Sequence, residues 1–174
     1  MENIILGFLL MKNLSQYEIK KALEKKPSPF ISASLGSIQA ALKKLLEKGH
    51  ITMQATIENG RKKNIYQITD NGKNSFHEWM LMEIDEYNFD HLLMSKLFFL
   101  GLLPLENQQV FVNNIIDQLN EINEDLRSVA VSDELLAHPI AKFQFKTLDL
   151  ACENYKQTLK FFTNLKKELE NQSI

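Results

Sequence analysis

Residues 34–72, SLGSIQAALKKLLEKGHITMQATIENGRKKNIYQITDNG, decide the fold. In their first third Leu35, Ile38, Leu42, Leu45 and Leu46 recur at helical intervals and gather on one stripe, and Gly49 stands where a left-handed cap closes such a helix. The opposite side is small and cationic. At about 100° per residue, Ser37, Ala40 and Lys44 point away from the stripe, with Gln39 and Lys43 along one flank. After the glycine, Ile51, Met53, Ala55 and Ile57 alternate with polar residues, and Asn64 to Ile68 is a second strand-like run. Glu58-Asn59-Gly60-Arg61 lies between them. Asn-Gly readily adopts the positive φ angles of a tight hairpin turn, so the two runs pair antiparallel, with Arg61, Lys62 and Lys63 at the tip. Thr69-Asp70-Asn71-Gly72 then opens a helix carrying Phe76, Trp79 and Met80. Helix, cationic hairpin and helix in this order read as a winged helix-turn-helix.

Upstream, Ile4 to Met11 is almost wholly apolar and reads as a helix buried on most sides. Ser15 and Glu18 have the spacing of a capping box, with Leu14 and Ile19 placed as a hydrophobic staple, which predicts a helix from Gln16 to about Lys25. Pro27 and Pro29 make residues 26–33 a connection. Downstream there is no strand signal. A helix from about Phe89 to Leu102 ends before Pro104, and Val112, Ile115, Leu119, Ile122, Leu126 and Val129 mark another between Glu106 and Val131. From Pro139 onward Leu148, Tyr155, Phe162 and Leu169 recur at sevens, with Cys152, Leu159 and Leu165 between them, so these long helices bury a seam against something. The expected fold is mainly α with a small β-hairpin: a winged helix over residues 1–84 and an antiparallel, coiled-coil-like helical domain over 85–174.

Charge divides the same way. Residues 1–80 hold twelve Lys+Arg against seven Asp+Glu, a balance of +5, whereas 81–174 carry −7, an asymmetry that the overall pI of 6.1 hides. A cationic nucleic-acid module joined to an acidic partner domain has this distribution. No apolar run reaches the ~20 residues of a membrane helix, since Lys96 interrupts the richest one, and the start Met1-Glu2-Asn3-Ile4 has no export signature, so the expected location is cytoplasmic. Cys152 is the only cysteine, which removes disulfides and Cys-pair metal sites. Nor does the chain read as an enzyme. His77-Glu78 begins like a zinc-protease helix, but position 81 is Leu, and His50, His77, His91 and His138 form no ligand pair at helical spacing. The glycines are dispersed rather than looped around a phosphate, and no cofactor is expected.

Residues 4–80 resemble the PadR family of bacterial transcriptional regulators. The resemblance is carried by Ile5-Leu6-Gly7 with Leu9-Leu10, Ser15-Gln16-Tyr17-Glu18-Ile19, Ser34-Leu35-Gly36-Ser37-Ile38 with Ala41-Leu42, Leu45 through Gly49, Asn59-Gly60-Arg61-Lys62-Lys63, Tyr66, Ile68-Thr69 and Gly72. Family members usually place a tyrosine, and often a proline, after the Gly-Ser-Ile element; Gln39 and Ala40 stand there instead, which points to a different operator sequence. The remaining half is similar to the helical domain of the longer PadR-like proteins. By that resemblance it forms the dimer and lets a small effector alter DNA affinity.

The implied function is a DNA-binding repressor, a homodimer on a pseudo-palindromic double-stranded operator, released by a small effector. Expected DNA contacts are Ser34, Ser37, Gln39, Lys43 and Lys44 on the recognition helix and Asn59, Arg61, Lys62 and Lys63 on the wing. Gln39 suits adenine, Lys43 suits guanine or a phosphate, and the two serines suit phosphate near a helix N-terminus. Polar residues on any amphipathic helix look like this; three adjacent cations at a hairpin tip, which repel one another, favour a phosphate partner more strongly. Leu148, Cys152, Tyr155, Leu159 and Phe162 are the expected dimer seam. Phe89, Phe98, Phe99, Phe111, Phe143, Phe145, Phe161, Phe162 and Trp79 suit an apolar pocket for an aromatic or apolar effector, although aromatic residues at helical spacing are more often core. Two alternatives stay open: a protein-interaction adaptor that uses the winged helix without reading DNA, and a small-molecule binder in which the wing cations play no part.

Overall fold

A computed structural model describes residues 1–25, 33–58, 61–85, 88–129 and 139–172. The Asn59-Gly60 turn, residues 26–32 of the Pro27-Pro29 connection, Val131 and His138 lie outside the described residues, as does the side chain of Arg61. The elements are α1 (Glu2–Met11), β1 (Leu14–Ser15), α2 (Gln16–Lys25), α3 (Leu35–Glu47), β2 (Ile51–Glu58), β3 (Arg61–Ile68), α4 (Asp70–Leu81), α5 (Phe89–Phe99), a 3-10 turn (Leu100–Leu102), α6 (Leu105–Ser128) and a long α7 (Pro139–Asn171).

Local chemistry sets most boundaries. The Ser15 N–H donates to Glu18 Oε2 at 2.8 Å and the Glu18 N–H to Ser15 Oγ at 3.3 Å, the reciprocal capping box that starts α2. Beside it Leu14 and Ile19 are both buried. At the end of α3 the His50 N–H bonds Leu45 O at 2.9 Å and the Gly49 N–H bonds Leu46 O at 3.0 Å, with Gly49 at φ +67°. That six-to-one and five-to-two pair satisfies two orphan carbonyls and requires a left-handed residue. Thr69 caps α4 by accepting from the Gly72 N–H at 3.1 Å.

β2 and β3 pair antiparallel from Ile51↔Ile68 to Glu58↔Arg61, a register with a two-residue loop. One strand was not legible in the sequence: β1 adds to the far side of β3 through Leu14↔Tyr66 and Ser15↔Ile65, giving a three-stranded sheet in the order β1-β3-β2. The alternating apolar residues of β2 do not form the half-buried face their pattern predicts. Ile51 is buried, but Met53 is 46% and Ile57 75% exposed, because only the base of the hairpin rests on the helices.

The contacts divide the chain into two compact units, Met1–Pro104 and Leu105–Ile174. The first therefore extends past the expected boundary at residue 84, and the reason is Phe99. Its ring meets Phe8 edge-on at 5.4 Å and Phe76 at 5.9 Å, joining α5 to α1 and α4. Gly7 permits the approach, since a Cβ there would come within 2.8 Å of the Phe99 ring. Burying a phenylalanine of this kind contributes about 2–3 kcal/mol, enough to make α5 part of the first core.

In the second unit α6 and α7 pack antiparallel, with Phe111 against Phe162 at 6.5 Å and Gln109 Nε2 donating to Leu169 O at 3.4 Å. The buried stripe of α6 departs from expectation at its far end. Ile122 is half-buried while Asn123 is buried, its Nδ2 donating to Leu119 O at 2.7 Å and its Oδ1 without a hydrogen-bond partner. Among the described residues no helix is long and apolar enough to cross a membrane.

Candidate nucleic-acid interface

The outward face of α3 exists because its inward face is anchored. Ile38, Ala41, Leu42 and Leu45 are buried, leaving Ser34, Gly36, Gln39, Ala40, Lys43, Lys44 and Glu47 exposed. Leu35, expected on the buried stripe, is 45% exposed instead; it is the first residue of α3, and the buried set begins at Ile38. Leu35, Gln39 and Lys43, four residues apart, therefore form one exposed row. This apolar member of the face was hidden by its helical spacing.

Not every predicted contact is equally available. Ser34 Oγ accepts the Ser37 N–H at 3.1 Å, and Ser37 Oγ donates its proton to Ser34 O at 2.8 Å. Ser37 thus spends its hydroxyl on the cap, whereas Ser34 keeps an O–H to donate. Lys43 is 79% exposed, with Glu47 at a loose 3.8 Å, a surface pair worth at most about 1 kcal/mol. Lys44 lies toward the start of α1, where its charge helps hold the Glu2 carboxyl below its ordinary value after the larger effect of the Lys48 hydrogen bond.

The wing differs more from its sequence reading. Side chains alternate along a strand, so residues 62 and 63 point to opposite faces. Lys62 is exposed opposite Ile57. Lys63 turns toward α2, and its Nζ lies 3.3 Å from Glu18 Oε1. Glu18 also accepts from Ser15 N and, at 2.7 Å, from Ser15 Oγ. These bonds, the Ser15 backbone N–H first, pull its carboxyl down to about 2. Lys62 and Lys63 accordingly do not act as one cluster, and a charge of the wing is tied to the helix that carries the capping box. Tyr17 is 70% exposed in the first turn of α2; its exposure is a tertiary property that sequence spacing does not report.

Most of the aromatic residues named for an effector pocket pack within one or other unit. Phe89 and Phe99 are core residues of the first unit, Phe111 and Phe162 pack on each other in the second, and Phe143 and Phe161 are 71% and 51% exposed. Trp79 lies beneath the buried Lys96 ammonium, 5.6 Å from the ring centre. Two recesses of the second unit, a groove of about 490 Å³ at Lys146, Leu150 and Glu153 and one of about 150 Å³ at Gln109, Val112 and Lys166, are lined by none of these rings. Of the expected dimer residues, Phe162 is 1% exposed inside the chain, and Leu148, Cys152, Tyr155 and Leu159 are half-buried. Among the described residues no three His, Cys, Asp or Glu side chains gather as a metal site.

The family model of the PadR-like transcriptional regulators matches residues 5–78. The negative transcriptional regulator PadR of Bacillus subtilis (strain 168) is 30% identical over 148 residues, 83% of this chain and 79% of its own length. Similar solved structures include Bacillus subtilis PadR in complex with operator DNA, at 24% identity over 97% of this chain and 98% of that one with a TM-score of 0.45. A protein of Streptococcus mutans UA159 is 28% identical over 94% and 96% of the two chains, with a TM-score of 0.46. With both TM-scores below 0.5, the sequence match carries the assignment. An identity of 30% across most of both chains, added to the match over the winged helix, makes this chain a member of the PadR-like family of transcriptional regulators, which are not enzymes.

Proposed function

We propose that the chain is a cytoplasmic, DNA-binding repressor that acts as a homodimer on a pseudo-palindromic operator. One observation carries the reading: α3 presents Leu35, Gln39 and Lys43 as an exposed row on a helix whose other side is locked into the core. A helix held in that way fits a major groove, where Gln39 would pair with an adenine edge, Lys43 with guanine or a phosphate, and Leu35 with a thymine methyl. Ser34, Tyr17 and Lys62 would hold the sugar-phosphate backbone, with Lys44, Asn59 and Arg61 adding to it; Ser37 and Lys63 act mainly within the fold. The name of the curated relative, a negative regulator, supports repression over activation.

In this reading the first unit binds DNA and the second joins two copies, placing half-sites about 10 bp apart or a multiple of that. A small aromatic or apolar effector would release the operator by preferring a dimer with another helix spacing, since a ligand shifts a population only through differential affinity.

Substitutions separate the roles. Gln39→Ala should relax preference at one base pair at a cost of about 1–3 kcal/mol. Lys62→Ala should weaken all duplexes alike and lower the salt slope by about 1, while Lys63→Ala should change that slope far less. Equal slopes for wild type and Lys62→Ala would remove the wing from the site. The exposed Ile57 and Met53 favour one other reading, a wing that contacts protein; there Ile57→Lys abolishes partner binding and duplex DNA is never bound.

A further inference from the structure

The wing strand β3 runs past the end of β1. Ser15 pairs with Ile65, and there the chain leaves the sheet to begin α2. Lys63 is two residues further toward the tip and on the Ile65 side of the strand, so it lies beside the first turn of α2 rather than beside another side chain of β1. Its backbone is fixed there, because Thr56 Oγ1 donates to Lys63 O at 3.1 Å.

The carboxylate it meets is divided between two tasks. Glu18 Oε2 accepts the Ser15 N–H at 2.8 Å and the Ser15 O–H at 2.7 Å, which leaves Oε1 to face the Lys63 ammonium at 3.3 Å. An exposed ion pair is usually weak because two mobile side chains must be ordered to make it. Here the capping box has already ordered one of them. The side chains of Lys63 and Glu18 are 28% and 39% exposed, against 79% and 60% for Lys43 and Glu47 at 3.8 Å. The same bonds keep Glu18 ionised down to about pH 2, so the pair persists at any pH at which the chain would meet DNA. Lys62, on the opposite face of the strand, is exposed.

We propose that Glu18 withholds the Lys63 charge from DNA, so that Lys63 adds nothing to the wing's hold on the phosphate backbone. Glu18 is thus a positioning residue that acts through Lys63 and limits sequence-independent affinity. Each cation placed on a phosphate strengthens binding to every duplex alike, and an operator must compete with the rest of a genome. The inference rests on the DNA-binding reading and adds to it a residue that makes no DNA contact.

Fluorescence anisotropy of the full chain tests it, with a duplex from upstream of its own coding region and a scrambled one, each across a salt series. Glu18→Gln removes the charge and keeps the capping box, which glutamine can complete; circular dichroism should show unchanged helix. Releasing Lys63 to one phosphate should steepen the slope of log K against log salt by about 0.9 on both duplexes. The variant should then lose about 3.5-fold more affinity than wild type between about 50 and 200 mM salt, and bind about 3- to 10-fold more tightly at about 50 mM. Lys63→Ala should keep the wild-type slope, and Glu18→Gln combined with Lys63→Ala should return to it. A damaged fold would weaken binding rather than strengthen it. Unchanged or weaker binding by Glu18→Gln overturns the inference and leaves the DNA-binding reading standing. So does a gain that survives in the double variant, where the carboxylate would act by its own charge and not through Lys63. Wild type that binds neither duplex at low salt overturns both readings.

Discussion

Gly72→Ala should unfold the chain far more easily than an alanine ordinarily does in the first turn of a helix. A Cβ on Gly72 would stand 2.1 Å from the His50 carbonyl oxygen and 2.8 Å from Ile68 Cγ1. A carbon needs about 3.3 Å from a carbonyl oxygen, so the start of α4 and the entry to β2 would have to separate by about 1 Å. That carbonyl accepts the Thr69 N–H at 3.0 Å, and Thr69 Oγ1 donates to Gly49 O at 2.7 Å, so the shift strains the junction of wing and helix. Overpacking costs about 1–3 kcal/mol and a weakened backbone hydrogen bond about 1 kcal/mol; the higher helix propensity of alanine returns about 1 kcal/mol. The net expectation is a loss of about 1–3 kcal/mol in urea unfolding followed by Trp79 fluorescence. Gly36→Ala is the control. Its nearest neighbour would be Ser34 Oγ at 3.9 Å, so it should stabilise by about 0.5–1 kcal/mol. If Gly72→Ala matched wild type or behaved like Gly36→Ala, the close approach of His50 would be refuted.

Gly49→Ala forces a side chain into φ +67° and should cost about 1–2 kcal/mol in the same unfolding experiment, although nothing lies within 4 Å of the added carbon. Glu18→Gln removes a carboxylate whose pKa falls from 4.5 to about 2 through its Ser15 and Lys63 bonds. Because the folded value is the lower one, its contribution is present above pH 4.5 and fades as pH falls toward 2; with the side chain 39% exposed, about 1 kcal/mol at neutral pH is expected, and wild type and variant should converge in acid. Lys96 shows the reverse dependence. The residue is 1% exposed, and its ammonium donates to Met82 O over Trp79 and is pulled by burial from 10.5 to about 8. Below pH 8 both folded and unfolded chains hold the proton and the burial cost is complete; between 8 and 10.5 only the unfolded chain does, so stability should rise there by at most about 3 kcal/mol. Lys96→Met should lack that rise, which chemical unfolding across the alkaline range would detect.

What the sequence made legible was short-range. The Ser15 and Glu18 box, the Gly49 cap, the Thr69 cap and the Asn59-Gly60 spacing each need only neighbours within a few residues, and the helices and the hairpin register follow from them. What it left out depends on partners far along the chain. Lys63 reads as a third tip cation until Glu18, 45 residues earlier, is found beside it. Leu35 keeps perfect helical spacing yet has no core beneath it, and the two-residue β1 has too little pattern to announce a strand. The domain boundary moved for the same reason, since the attachment of α5 rests on Phe99 meeting Phe8 and Phe76. The exposed face of α3 was readable because amphipathicity is local; the pairing of Lys63 with Glu18 was not.

Fluorescence anisotropy of the purified chain with a duplex from upstream of its own coding region, against a scrambled duplex of equal length across a salt series, tests the central claim most directly. The account predicts tight binding to the first duplex alone, falling steeply as salt rises. Absence of binding to either duplex at low salt would contradict it and leave the winged helix as a surface for protein.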